Sequence, residues 1–290
     1  MIINLNGNLV SRLEAKISIF DHGFLYGASI YETIRTYGGK PFQLQNHFKR
    51  LENSARGIQI ALPFDFEEFR RQLSITLAKS ESAESAIRII VTRGAGDPGY
   101  APTRLGPPAY IFLVSPLPPV PPEIYEKGVI LALVSVRRNL PEALDPAVKS
   151  GNLLNQMLAW NEANTRNAYE ALMLNYRGEL TECTMCNIFL VRNKILRTPA
   201  LECGILAGVT RQMILEIASE SGMVAEETVL YPEDLYGAEE AFLTVTSREV
   251  IPVVRCDEHV IGNGFPGTTT RSLHLKYRQK VREITEKETG

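Results

Sequence analysis

The chain has 290 residues, of which 44% are hydrophobic and 22% charged, and its formal net charge is −2. This composition is that of an ordinary globular protein. Its near-neutral charge gives no electrostatic reason to expect binding to nucleic acid or to an anionic membrane. The sequence contains no signal-peptide pattern, no apolar run long enough to span a membrane and only four cysteines, so we expect a cytoplasmic protein without a disulfide scaffold.

The first part of the chain alternates strand-like and helix-like patterns. Apolar and period-two runs predict strands at Ile2–Leu5, Ile30–Tyr37, Ala86–Thr92 and Tyr110–Val114. Helical spacing predicts helices at about residues 43–58 and 66–79. Together these elements predict a small α/β domain over residues 1–115.

A proline-rich segment follows. Residues 116–122 are Pro-Leu-Pro-Pro-Val-Pro-Pro, and because proline fixes φ and lacks an N–H donor, this segment predicts an extended linker over residues 116–123.

A larger domain is then predicted over residues 124–290. Its predicted strands are Val129–Val136, Glu170–Asn175, Cys186–Val191, Ala225–Leu230, Glu240–Thr246 and Val250–Arg255. Its predicted helices are at about 151–166, 209–221 and 268–286, with Thr268 as the N-cap of the last one.

Three motifs in this second domain follow one another in an order that suits one cofactor. Lys149 precedes an apolar helical run, Glu182 lies on a predicted turn before an apolar strand, and Gly208-Val209-Thr210 opens a predicted helix. A lysine can hold the aldehyde of pyridoxal 5′-phosphate (PLP) as a Schiff base, and a carboxylate can pair with the pyridinium nitrogen. A helix N-terminus can bind the phosphate.

With these motifs and three further blocks, the chain resembles the class IV aminotransferases, also called fold-type IV PLP enzymes. The further blocks are Asp21–Arg35, His47–Leu51 and Phe242–Val253. The resemblance implies a two-domain α/β (α+β) fold with a small N-terminal α/β domain and a larger, β-rich C-terminal domain with helices. It also implies PLP as cofactor, amino acids and 2-oxo acids as substrates, and a homodimer.

The resemblance also implies roles for individual residues. Lys149 would be the catalytic residue, Arg50 would contact the phosphate, and Leu206 would pack on the pyridine ring. The full set of expected cofactor contacts is Arg50, Lys149, Glu182, Leu206, Gly208, Val209, Thr210, Thr246 and Ser247. No metal site is expected.

The substrate side is predicted from the first domain. Tyr31, Thr33 and Arg35 lie on one side of a strand by period two, and Arg88 on another strand could reach the same cleft. Arg35 and Arg88 match arginines of branched-chain enzymes, and for each of them a strand-end ion pair is the alternative. The expected substrate contacts are Tyr26, Tyr31, Arg35 and Arg88.

These features favour transamination between an L-branched-chain amino acid and 2-oxoglutarate. The segment 97–100 lacks the arginine and histidine of a well-known D-specific type. Leu154 and Ala86, however, replace tyrosines that are usual in branched-chain enzymes. D-amino acid transamination and aminodeoxychorismate lyase activity are therefore the alternatives.

Two other motifs suggest different chemistry. Gly94–Gly99 has the Gly-x-Gly-x-x-Gly spacing of an NAD-dependent oxidoreductase, but Pro98 and the prolines that follow cannot open the required helix. We therefore interpret it as a flexible active-site loop. Cys183 and Cys186 form a Cys-x-x-Cys pair, but Cys203 and Cys256 do not supply the second pair of a zinc site.

Overall fold

The structure is a computed structural model that describes residues 1–101 and 103–287. The chain divides into two compact units. The first consists of Met1–Pro118 and the short segment Val148–Asn152, and the second of Pro119–Ala147 and Leu153–Gly290. Within the described residues, no helix combines the length and the apolar character that crossing a membrane requires.

The first unit is built on an antiparallel sheet of six strands in the order β2-β1-β6-β5-β3-β4. The strands are β1 (Ile2–Leu5), β2 (Asn8–Val10), β3 (Ser29–Tyr37), β4 (Lys40–Pro41), β5 (Ser85–Thr92) and β6 (Tyr110–Pro116). The helices are α1 (His22–Tyr26), α2 (Leu44–Gly57) and α3 (Phe66–Leu77).

Amphipathic patterns explain how this unit packs. Strand β5 alternates, so that Ile87, Ile89 and Val91 are buried in the core while Arg88 between them is half-buried. Helix α2 buries Phe48 and Leu51 in the same core. This core therefore covers one face of the sheet, whereas the half-buried side chains of β3 and β5 lie on the opposite face.

The second unit is built on a mixed sheet of nine strands in the order β12-β11-β10-β13-β14-β7-β8-β9, with β15 beside β14. The strands are β7 (Val129–Leu133), β8 (Glu170–Leu174), β9 (Leu180–Cys183), β10 (Asn187–Arg192), β11 (Ile195–Pro199), β12 (Ala225–Thr228), β13 (Glu240–Val245), β14 (Glu249–Cys256) and β15 (His259–Val260). The helices are α4 (Pro122–Lys127), α5 (Leu154–Thr165), α6 (Val209–Glu220), α7 (Pro232–Tyr236) and α8 (Thr268–Lys287).

Three local predictions need correction. Helix α5 begins at Leu154 rather than near residue 151, because the backbone of 149–151 is hydrogen-bonded to strand β3 instead. Glu182 lies inside the short strand β9 and not on a turn. Thr268 is the first residue of α8 rather than its cap, since the amides of Thr269 and Thr270 are bound by the Glu240 carboxylate at 2.9 and 2.7 Å.

Candidate active site

Lys149 lies beside the first residues of strand β3. The Tyr31 amide donates to the Lys149 carbonyl at 2.9 Å, and the Gly151 amide donates to the Ser29 carbonyl at 2.7 Å. The Lys149 amide in turn donates to Ser54 Oγ on helix α2 at 3.0 Å. The backbone of Lys149 is therefore fixed on both sides, and its position does not depend on a flexible loop.

The side chains of Lys149 and Arg88 both lie against the ring of Tyr31. Lys149 Nζ is 4.4 Å from the ring centroid and 3.4 Å from Tyr31 Oη, and the Arg88 guanidinium carbon is 4.1 Å from the centroid. Each contact is a cation–π interaction. Two cations therefore contact the same aromatic ring. No carboxylate of the described residues forms a salt bridge with Arg88. Such a cluster suits an anionic substrate.

A buried carboxylate lies behind this cluster. Glu32, which is fully buried, accepts hydrogen bonds from Arg50 Nε at 2.7 Å, Arg50 Nη2 at 2.8 Å and His47 Nδ1 at 2.8 Å. Burial acts to raise the pKa of Glu32, but the charge and hydrogen bonds of Arg50 outweigh it and hold that pKa well below its usual range. Burial lowers the pKa of His47. Arg50 is thus fixed in orientation by Glu32.

The other two predicted substrate residues have partners of their own. Arg35 pairs with Glu84 at 2.7 Å and stacks on the Tyr37 ring at 3.9 Å. It is four residues, or about 13 Å, along the strand from Tyr31. Tyr26 lies at the end of α1, where its hydroxyl accepts the Gly99 amide at 2.7 Å. The Tyr26 hydroxyl therefore anchors the loop at Gly99.

Glu182 is the centre of a polar cluster in the second unit. The carboxylate is buried, and its Oε1 accepts from Arg138 Nε and lies 3.0 Å from Arg138 Nη2. Its Oε2 accepts from Asn187 Nδ2 at 3.2 Å and from the Leu206 amide at 3.0 Å. Arg138 is itself buried. The cluster therefore holds a charged carboxylate in one orientation inside the protein.

Asn187 connects this carboxylate to the start of helix α6. Its Nδ2 also donates to the Leu206 carbonyl at 3.0 Å. A Cβ atom on Gly208 would lie only 2.0 Å from Asn187 Oδ1, so a larger residue here would displace the Asn187 amide. Gly208 is the N-cap of α6 and provides no side-chain cap, while Thr210 in the first turn is buried. A helix start without a side-chain cap can bind an anion such as phosphate.

Thr246 and Ser247 lie in the turn between strands β13 and β14. The Arg248 amide closes this turn on the Val245 carbonyl at 3.3 Å. Thr244, two residues earlier, is paired in register with Asn187. Its hydroxyl is buried and has no hydrogen-bond partner within the part of the chain that the structure describes. An unpaired hydroxyl beside Asn187 is what a site that takes a polar ligand would provide.

Each unit, taken by itself, holds groups whose chemistry suits PLP. The first unit provides a lysine amine and a guanidinium, and the second provides a buried carboxylate, an uncapped helix start and an unpaired hydroxyl. A metal site is not found, because no group of three or more histidine, cysteine, aspartate or glutamate side chains among the described residues could hold an ion. Burial raises the pKa of both Cys183 and Cys186, so neither thiol is activated for reaction.

Two residues of the Glu182 cluster are not identified by the sequence patterns. Arg138 is followed by a proline-containing loop and carries no motif, so only the tertiary structure connects it to Glu182. Asn187 follows Glu182 by five residues, where a polar side chain begins the otherwise apolar strand β10. An asparagine at the start of such a strand is a detectable signal, because buried amides need partners.

The comparisons with known proteins agree with this chemistry. The family model for amino-transferase class IV matches residues 29–256. Fold and site thus define a PLP-dependent enzyme with the fold-type IV architecture. The chain belongs to the class IV aminotransferase family. It is therefore a PLP-dependent aminotransferase, and the two-domain α/β fold expected from the sequence is confirmed.

The curated relatives include three kinds of enzyme. A Methanocaldococcus jannaschii protein assigned as a branched-chain-amino-acid aminotransferase is 40% identical over 96% of both chains. An aminodeoxychorismate lyase of Bacillus subtilis is 31% identical over 100% of this chain and 98% of its own length. A D-alanine aminotransferase of Listeria monocytogenes is 32% identical over 98% of this chain and 96% of its own length.

The solved structures point to branched-chain aminotransferases. The Escherichia coli enzyme matches with a TM-score of 0.91, at 28% identity over 97% of this chain and 94% of that one. The Thermoproteus uzoniensis enzyme with norvaline matches with a TM-score of 0.88, at 31% identity over 97% and 94%. A T.th. enzyme solved with pyridoxamine 5′-phosphate matches with a TM-score of 0.92, at 30% identity over 97% and 93%. The chain is thus similar to branched-chain aminotransferases in sequence and in fold.

Proposed function

We propose that this enzyme transfers the amino group of an L-branched-chain amino acid to 2-oxoglutarate, with Lys149 holding PLP as a Schiff base. The observation that carries the proposal is the pair of cations, Lys149 and Arg88, on the ring of Tyr31. The 40% identity to the assigned branched-chain enzyme of M. jannaschii supports the choice of substrate.

Each protein group has a distinct task in the proposal. Bound PLP supplies an electron-withdrawing ring that stabilises negative charge at the substrate α-carbon. Glu182, paired with Arg138, keeps a negative charge at the ring nitrogen. Lys149, when free, removes the α-proton and returns it, with Tyr31 Oη at 3.4 Å orienting the amine. Arg88 binds a carboxylate of the substrate.

Each unit offers candidate groups for the phosphate. Arg50, held by Glu32, supplies a guanidinium, and the first turn of α6 at Gly208, Val209 and Thr210 supplies N–H donors and a hydroxyl. The turn at Thr246 and Ser247 supplies further hydroxyl and amide donors. Leu206 is assigned to the face of the ring.

D-amino acid transamination is the second candidate. It is supported by the D-alanine aminotransferase of L. monocytogenes, at 32% identity, and by Leu154 in place of a tyrosine. Lyase activity is third, supported by the relative of B. subtilis at 31% identity. Arg35 is the weaker of the two substrate arginines, because Glu84 already pairs with it.

The first experiment tests Lys149. Purified protein should be yellow, and borohydride reduction followed by peptide mapping should find a pyridoxyl group on Lys149. Lys149→Ala should lose turnover by at least about 10²–10⁴-fold, the usual contribution of a general acid–base group. Lys79→Ala, which removes an exposed lysine, is the control. A colourless protein that borohydride leaves unlabelled would contradict the proposal.

The second experiment tests the substrate. Bleaching of the bound cofactor should follow addition of L-leucine or L-valine, and 2-oxoglutarate should restore the colour. D-alanine, D-glutamate and (R)-phenylethylamine should bleach it slowly or not at all. Arg88→Ala should raise KM for the acids far more than it weakens PLP binding. Fast bleaching by D-alanine with none by L-leucine would replace the first candidate with the second.

A further inference from the structure

The turn that carries Thr246 and Ser247 is followed by a residue in an unfavourable backbone conformation. Glu249 has φ of +63° although it is not glycine, and it opens strand β14 directly after the turn. Side chains with a Cβ avoid this left-handed region, so the surrounding contacts must hold the residue there. Glu249 is also buried, with only 4% of its side chain exposed.

The carboxylate of Glu249 is held by the C-terminal helix. His274 Nε2 lies 2.8 Å and Arg278 Nε lies 2.7 Å from Glu249 Oε2, and both residues belong to α8. The two residues lie one turn apart on the same helix face, because positions four apart lie above one another. Helix α8 therefore binds the end of the turn through a charge-assisted pair.

A second element holds the same turn from the preceding residue. Tyr125 Oη on α4 donates to the Arg248 carbonyl at 3.0 Å. The Tyr125 ring also packs on His274, with ring centroids 4.8 Å apart, and lies 5.4 Å from the Arg278 guanidinium carbon. Glu249, His274, Arg278 and Tyr125 thus form one connected group, which we call the Glu249 cluster.

We propose that the Glu249 cluster is a positioning device for the Thr246–Ser247 turn, through which helix α8 sets the geometry of the donors that face the anionic groups of cofactor and substrate. This inference rests on the proposed function, since that assigns the turn to the site. The members of the cluster are positioning residues, because they act through the backbone of the turn. The buried carboxylate fixes where β14 begins, and the Tyr125 hydroxyl fixes the carbonyl one residue earlier.

In this proposal, the task of helix α8 is to hold the backbone at residue 249 through the Glu249 carboxylate. Removing the carboxylate lets the backbone at residue 249 leave the left-handed region, which rotates the amides of the turn. The cluster variants should still fold without PLP, because Leu273 and Tyr277 of α8 remain packed in the interior. A change confined to the cluster should therefore affect the bound phosphate more than the fold.

The test uses the full-length protein with PLP. Glu249→Gln and His274→Leu should each raise the Kd for PLP by about 3- to 30-fold and shift the ³¹P resonance of the bound phosphate. His274→Gln, which keeps an N–H donor, should restore most of the affinity. Lys280→Met, which removes a surface pair of α8 with Glu220, is the matched control and should leave both values unchanged.

Thermal unfolding of the apoproteins separates positioning from stability. If Glu249→Gln lowers the apoprotein Tm but leaves the PLP Kd and the ³¹P resonance at wild-type values, the cluster is only structural and the inference is overturned. If the wild type binds PLP and every cluster variant binds it with the same Kd, the inference about the cluster is also overturned. The proposed function would then remain intact. A wild-type protein that binds no PLP would overturn both.

Discussion

Among individual residues, the buried carboxylates of Glu182 and Glu32 are held by different cationic side chains. Glu182 is paired with the buried Arg138, and Glu32 is paired with Arg50 and His47. A buried ion pair adds little net stability, but removing one partner leaves the other charge uncompensated. Loss of either arginine would therefore leave a buried carboxylate without its main cation.

Arg138→Met should expose this dependence. We expect a loss of about 3–5 kcal/mol in the free energy of unfolding, because Glu182 would stay buried without its cation. Single-turnover α-proton removal should also slow, since the carboxylate loses its fixed orientation. Urea denaturation and stopped-flow absorbance would measure the two effects. Arg137→Met removes the neighbouring exposed arginine and should change neither; equal losses in both variants would rule out the role of the pair.

The contacts of Glu32 predict an acid-dependent loss of stability. The pKa of His47 is lowered on folding and so is that of Glu32, hence the unfolded chain binds more protons than the folded one. The free energy of unfolding should therefore fall as pH drops below about 6.5, where His47 titrates in the unfolded chain, and again below about 4.3, where Glu32 does.

Variants separate the two parts of this pH dependence. His47→Gln should remove the loss between about pH 6.5 and 5, and Glu32→Gln should remove the loss below about pH 4.5, as measured by urea denaturation across pH. Unaltered slopes in both variants would mean that these groups do not link folding to protons.

Among the secondary-structure elements, the long helix α8 depends at its start on a side chain from strand β13. Glu240 binds the amides of Thr269 and Thr270 and the Thr270 hydroxyl, at 2.7–2.9 Å. Gly267 leaves the space for this carboxylate, because a Cβ there would lie 1.9 Å from Glu240 Cδ. A distant residue thus takes the role that a local N-cap usually has.

Glu240→Ala should therefore cost about 1–3 kcal/mol in the free energy of unfolding, since it leaves first-turn amides without a partner. Thr268→Ala should change it by less than about 0.5 kcal/mol, as expected for a surface substitution. Chemical denaturation of both variants is the measurement. A larger loss for Thr268→Ala than for Glu240→Ala would restore Thr268 as the cap.

For the molecule as a whole, helix α5 presents exposed apolar side chains on one face. Leu154, Met157 and Leu158 lie on one face of the helix and are 66%, 60% and 50% exposed. Contiguous exposed apolar residues are typical of association surfaces. The resemblance to class IV aminotransferases also implies a homodimer, so we propose that this face lies in its interface.

Sedimentation should accordingly find twice the monomer mass. Met157→Glu should shift the equilibrium toward monomer, because burying an unpaired charge costs several kcal/mol. Ile75→Glu is the control, since it introduces the same charge in place of a partly exposed isoleucine of α3. A wild type that sediments as a monomer at all concentrations would end this proposal.

Local sequence patterns are enough to predict the strongly periodic elements and the order of the motifs. Strand β1 and helices α2, α3, α6 and α8 lie within a few residues of their predicted bounds, because local apolar spacing decides them. The family and PLP follow from motifs, since a lysine, an acid and a glycine-containing helix start are local features of the chain. Elements such as β15 and α7 are not predicted, because they contain too few residues for a period to show.

The meeting of distant groups, in contrast, depends on the three-dimensional fold. The segment Val148–Asn152 pairs with β3 instead of starting a helix, because backbone hydrogen bonds to Ser29 and Tyr31 replace helical ones. Arg138 reaches Glu182, and Glu240 caps α8, across 44 and 29 residues. A buried charge needs a partner, and the partner can lie far away in the sequence. Local sequence patterns therefore cannot identify it.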